Sequence, residues 1–168
     1  MKATNRQNVK SDATDAHEKG KNFLAPAEVD KLLEAAKKGR HGVRDHTLLL
    51  MMYRHDLRVS EATGLRLDNV NLAHSRLWVS RLKGSLSVEQ PIAGDELRGI
   101  KRYFATRDDK LPWLFISERD TQLTRQAVNY IVSQAADAAG LKNVHPHTLR
   151  HSCGFYLADR GTDLRMTT

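Results

Sequence analysis

A run of six residues, LLLMMY at 48–53, is apolar on nearly every side of the helix that contains it, 43–55. A surface helix confines its apolar residues to one stripe, so a helix with this pattern has to be surrounded. The segment is therefore expected at the centre of the core, with Met51 and Met52 as packing side chains rather than cofactor ligands. Four further stretches carry the stripe of a helix packed on one face. In 24–38, Val29, Leu32, Leu33 and Ala36 face inward, with Pro26 near the start, Glu28 and Asp30 in the first turns, and Lys37-Lys38 before Gly39. In 94–107, Leu97, Ile100, Tyr103 and Phe104 face inward behind Asp95-Glu96. Thr124 is placed to cap a helix reaching Ala139 and ended by Gly140, with Val128, Ile131, Val132 and Ala135 inward. A last helix starts at Pro146 and stops at Gly161.

Between these, 72–93 switches to a period near two. Leu77, Val79, Leu86 and Val88 alternate with polar residues around Gly84, which predicts a β-hairpin, and a short strand near 70–72 would add a third. Trp113 and Phe115, in LPWLFIS, read as core. The fold class is α+β and mostly helical: a helical domain with a small antiparallel two- to three-stranded sheet. The polar first 22 residues lack an apolar period and read as a disordered tail, leaving 23–168 as one domain.

The net charge of +7 and pI near 9.7 favour an anionic partner, nucleic acid being the commonest. The tail contributes five basic against three acidic residues, so most of that charge belongs to the folded part. A single cysteine, Cys153, excludes an internal disulfide and fits a reducing cytoplasm. No apolar run reaches membrane-spanning length, and the start has no signal-peptide core.

Two stretches carry chemistry. At the start of the last helix, His147, Arg150 and His151 lie three and four residues apart, on one face of its first two turns. A fixed cation beside two imidazoles suits holding a phosphate while a proton moves near it. A metal site built from His145, His147, His151 and Cys153 is disfavoured because Arg150 would sit beside the ion. Upstream, a short helix at 59–64, ended by Gly64, follows Arg58 and places Glu61 on the same face. By spacing alone that pair is a surface ion pair worth under about 1 kcal/mol.

The wording PHTLRHSCGF, preceded in order by LRVSEATGL and RLKGS, resembles the active-site boxes of the tyrosine recombinases, the phage integrase family. It is similar in particular to the small bacterial invertases that flip fimbrial promoter switches. The resemblance spans about Phe23 to Arg165 and implies site-specific DNA recombination by strand cleavage and rejoining, with neither metal nor cofactor. It implies that Arg58 and Arg150 clamp the scissile phosphate and that Glu61 fixes the Arg58 guanidinium. By the same resemblance His147 acts as acid, base or phosphate donor with His151 beside it, and Lys83 at the hairpin tip is the general acid, Arg81 being its nearby competitor and a DNA contact. Arg125, Gln126 and Asn129 would lie on a helix facing double-stranded DNA, on which related protomers associate.

Two later boxes of the family, a Gly-His or Gly-Trp pair and a nucleophilic tyrosine, do not occur before the sequence closes on TDLRMTT. Tyr156 points about 120° away from the His147 face, and Tyr53, Tyr103 and Tyr130 are expected on apolar faces. The reading is a cytoplasmic DNA strand transferase that in this short form is either inactive or dependent on a tyrosine from another chain, and that tends to self-associate. The alternative is a DNA-binding module derived from such an enzyme.

Overall fold

The computed structural model describes residues 22–81 and 87–159, with side chains described as far as Cys153. Among the described residues six α-helices run in chain order: α1 (Pro26–Lys37), α2 (Gly42–Arg54), α3 (Val59–Thr63), α4 (Gly94–Ala105), α5 (Arg125–Ala139) and α6 (Pro146–Asp159). Three short strands, β1 (Val70–Asn71), β2 (Arg76–Val79) and β3 (Val88–Pro91), form an antiparallel sheet in that order. The hairpin tip with Gly84, Lys83 and Leu86, the tail before Asn22, the Tyr156 side chain and the segment after Asp159 lie outside the described residues.

The unstriped helix is the centre of the fold. Every residue from Thr47 to Tyr53 is buried, and α2 touches α1, α3, α4 and α6. Its start lies so close to the end of α1 that a Cβ on Gly42 would collide with the Lys37 carbonyl, a site for which glycine is the suited residue. The other stripes pack as their spacing predicts, Val29, Leu32, Leu33 and Ala36 from α1 and Val128, Ile131, Val132 and Ala135 from α5. Thr124 Oγ1 accepts from the Ala127 N–H at 3.1 Å, and Gly140 closes α5 with φ +72°.

In the sheet, Leu77 and Val79 point into the core while Arg76 and Trp78 face out, with Leu77 opposite Gln90 and Val79 opposite Val88. Segment 111–116 runs along residues 65–67, with the Leu67 N–H on the Pro112 carbonyl at 2.8 Å and the Leu114 N–H on the Leu65 carbonyl at 2.9 Å. Phe115 is buried and stacks on Tyr103 with ring centroids 5.9 Å apart. Trp113 is half-buried instead, with the Arg66 guanidinium 5.3 Å from its ring.

Tyr130, expected on an apolar face, is 66% exposed instead. It lies one residue, about 100° of helix rotation, from the inward stripe at Ile131, and its size does not override that angle. Glu96, in the first turn of α4, is 2% exposed. Its Oε1 lies 2.5 Å from His55 Nε2, while Oε2 accepts the Ala93 N–H at 2.9 Å. Because His55 Nδ1 also meets Gln90 Oε1 at 2.7 Å, this buried cluster ties the end of α2 to β3 and to the start of α4.

Candidate functional site

Three helices begin at one place on the surface. Arg58 is the residue before α3, Arg125 opens α5, and His147 and Arg150 stand in the first turns of α6. Together with Leu57, Val59, Ser60 and Pro146 they line one cavity of about 320 Å³. Three guanidiniums and an imidazole thus share a hollow into which the N-terminal ends of two long helices open. The unpaired N–H groups at such ends, and the helix dipole behind them, favour an anion.

The entry to α6 is fixed by its small polar residues. Thr148 Oγ1 accepts the His145 N–H at 3.2 Å. Ser152 Oγ, fully buried, donates to the Thr148 carbonyl and accepts the Leu24 N–H, both at 2.7 Å. Leu149 and Cys153 are buried on the same side, which leaves His147, Arg150 and His151 on the outer face. His147 and His151 meet edge-on with their Nε2 atoms 2.6 Å apart, so one proton serves both nitrogens. Burial first, then the neighbouring His151 and Arg150, hold His147 below its ordinary pKa.

The turn before Arg58 is held from several sides. The Leu57 N–H reaches the Met52 carbonyl at 3.1 Å, closing α2, and Asp56 takes the left-handed backbone with φ +52°. The Asp56 carboxylate lies 3.0 Å from Arg150 Nε. This is an ion pair without a well-directed hydrogen bond, since that buried Nε–H does not aim at the oxygen or at another acceptor. Burial pushes the Asp56 carboxyl up, against the pull of Arg150 and Arg81.

Glu61, 1% exposed at its side chain, accepts the Arg58 backbone N–H at 2.8 Å and Arg81 Nη1 at 3.2 Å. Arg81 also donates to the carbonyls of Asp56 at 2.8 Å and His55 at 3.0 Å, and its side chain is 5% exposed. The expected DNA contact at Arg81 is thus replaced by an inward-facing role. The guanidinium staples the exit of β2 to the turn that presents Arg58.

The structure brings Arg58, Arg125, His147 and Arg150 together, with Glu61, His151 and Arg81 adjacent. Gln126 is exposed outside the cavity. Asn129 lines a second groove, with Ser133, Lys142 and His145, that meets the first at Pro146. Lys83 lies outside the described residues. Asp56 was missed by sequence reasoning, although a non-glycine residue in a helix-ending turn beside an arginine box is a readable signal.

Burial pushes the Cys153 thiol up to about 11, so it stays protonated near neutrality. Among the described residues no three His, Cys, Asp or Glu side chains are grouped to hold a metal ion. Among the described residues lining the cavity none is a tyrosine.

A sequence model described as the Phage integrase family matches residues 22–167. The type 1 fimbriae regulatory protein FimB of Escherichia coli K12 is 36% identical over 156 residues, covering 90% of this chain and 78% of FimB. The tyrosine recombinase XerA of Pyrococcus horikoshii is 36% identical over 146 residues, covering 85% of this chain and 50% of XerA. Among solved structures, the XerA recombinase crystal structure superposes with a TM-score of 0.76 at 22% identity, covering 86% of this chain and 53% of that one. The XerH recombinase in its pre-cleavage complex with difH substrate gives 0.73 at 21%, covering 87% and 46%. The chain spans about half the length of these solved structures.

Proposed function

The chain belongs to the phage integrase family, whose members recombine DNA at specific sites by cleaving and rejoining strands, and on that premise we propose that its basic hollow holds one phosphate of double-stranded DNA during this reaction. The observation that carries the reading is the meeting of Arg58 and Arg150, distant in sequence, on the walls of one cavity.

The chemistry follows from the residues. When a phosphodiester is attacked, negative charge gathers on its non-bridging oxygens, and fixed guanidinium donors lower the energy of that state. Arg58 and Arg150 supply this clamp, with Arg125 as a third cation on the same wall. The His147–His151 pair shares a proton and passes it to or from an oxygen at the hollow. Lys83 is the general acid for the leaving 5′-oxygen. Arg81, two residues before Lys83 in the sequence, is anchored to the turn that precedes Arg58, which supports this reading. Gln126 and Asn129 follow the DNA along α5. Residues from 23 onward act as the catalytic domain, related protomers assemble on the DNA, and the protein works in the cytoplasm. No described helix is long and apolar enough to cross a membrane.

The test is duplex DNA binding, read by fluorescence anisotropy across a salt series. Removing one charged phosphate contact costs about 1.5–3 kcal/mol, roughly a 10- to 150-fold loss of affinity. Arg58→Ala and Arg150→Ala are each expected to weaken binding to that extent and to flatten the salt slope by about 0.9. Unchanged affinity and slope in both folded variants would refute the shared phosphate site. A suicide duplex, which traps a covalent strand–protein adduct only where a tyrosine attacks, reads the cleavage step when a tyrosine-bearing recombinase protomer is added to complement this chain.

A further inference from the structure

Asp56 occupies a position that glycine fills most easily. It follows the last turn of α2 with φ +52°, and the Leu57 N–H bonds back to the Met52 carbonyl. At such a helix end the left-handed residue is usually glycine, because any Cβ crowds the following carbonyl. Asp56 keeps this conformation, and its carboxylate lies at the Nε edge of Arg150, 3.0 Å away on a different helix. Arg150 lines the hollow, whereas Asp56 does not. The carboxylate therefore meets the arginine without itself lining the hollow.

A guanidinium has one Nε–H edge and an outer edge formed by its two Nη groups. An arginine held by nothing behind it meets a phosphate in many orientations, as a mobile point charge. An anion beside the Nε edge attracts that edge by charge, without a straight hydrogen bond, and so narrows the orientations open to the outer edge. We propose that Asp56 is a positioning residue, which sets the plane of the Arg150 guanidinium and partly neutralises it so that its outer edge is turned to the DNA phosphate.

The arrangement has two opposing effects. The negative charge beside the hollow weakens ground-state attraction for DNA, while the fixed plane improves the match to the phosphate once charge gathers there. Arg81 binds the Asp56 main-chain carbonyl at 2.8 Å, so that contact survives when the Asp56 side chain is removed.

The inference rests on the reading of the hollow as a phosphate site, and two independent measurements separate them. The first needs no DNA: the ¹⁵N-detected Nε–H resonance of Arg150, assigned by its loss in Arg150→Lys. In the wild type it is expected to exchange slowly with solvent. In Asp56→Gly, which suits the left-handed backbone, exchange is expected to rise at least tenfold with no fall in melting temperature. Asp56→Asn, which also tolerates that backbone and keeps one acceptor oxygen, should restore part of the protection. Unchanged exchange in Asp56→Gly would overturn the positioning role whatever the DNA data say.

The second is duplex affinity. Asp56→Gly is expected to bind two- to fivefold more tightly at low salt, with a steeper salt slope, because one cation loses its internal partner. Weaker binding by a variant that melts normally would overturn the proposal, since it would make Asp56 an aid to ground-state binding. If Arg150→Ala leaves DNA affinity unchanged, the phosphate-site reading fails and the proposal falls with it, even where the exchange result supports the Asp56–Arg150 contact.

Discussion

Glu61 is the most exacting place to perturb this molecule, because its side chain is 1% exposed and its partner Arg81 5% exposed. Replacing Glu61 by alanine leaves the Arg81 charge buried with the carbonyls of His55 and Asp56 as acceptors. Removing one partner of a buried ion pair costs about 3–5 kcal/mol, and the two carbonyls place this case near 3. The hydrogen bond to the Arg58 N–H at the start of α3 is lost as well, adding about 1 kcal/mol. The sum, about 4 kcal/mol, is a large share of the roughly 5–15 kcal/mol that holds a domain of this size. At about 2–4 °C per kcal/mol, the melting temperature of Glu61→Ala should fall by about 8–16 °C. The assay is thermal and urea unfolding of Glu61→Ala, Arg81→Met and the double variant. Removing both charges leaves none stranded, so Arg81→Met should recover about 2 kcal/mol when made on the alanine background. A melting shift under about 3 °C for Glu61→Ala, or strict additivity in the cycle, would show that the pair does not hold the Arg58 turn.

Three other perturbations follow from single sites. His147 is held below its ordinary value of 6.5, so the unfolded chain takes up its proton first and stability is lost as pH falls from that value through the folded pKa; His147→Gln should remove this part of the slope in urea titrations, His46 contributing the same sign in both proteins. Gly42→Ala should lower stability by about 3 kcal/mol, since the new methyl group meets main-chain atoms of Lys37 rather than a movable side chain; a melting temperature within about 2 °C of wild type would contradict the packing of α1 on α2. Thr47→Val should raise stability by about 1 kcal/mol, because Thr47 Oγ1 is buried without a hydrogen-bond partner among the described residues; a loss in differential scanning calorimetry would mean that the hydroxyl is satisfied after all.

What could be read from the residues alone was whatever the backbone fixes locally. Helical spacing sets the angle between neighbours, so the unstriped α2, the inward stripes of α1 and α5, and the common face of His147, Arg150 and His151 were all legible. Turn chemistry placed the cap at Thr124 and the stop at Gly140. The same helical angle puts Tyr130 outside the inward stripe of α5, where it is exposed.

Packing decided the rest. Which long side chains turn inward depends on where helices from distant parts of the chain come to lie, and no local period carries that information. Glu96 became a buried partner of His55 because α4 packs on α2. Arg81 faces inward because the left-handed turn at Asp56 offers it carbonyls to bind. The hollow itself exists because α3, α5 and α6 start side by side, which brings Arg58, Arg125 and Arg150 to the lining of one cavity. The sequence determined which residues were fit for that chemistry; the tertiary packing of three helix starts decided that they would meet, since like charges gather only where a folded core holds them.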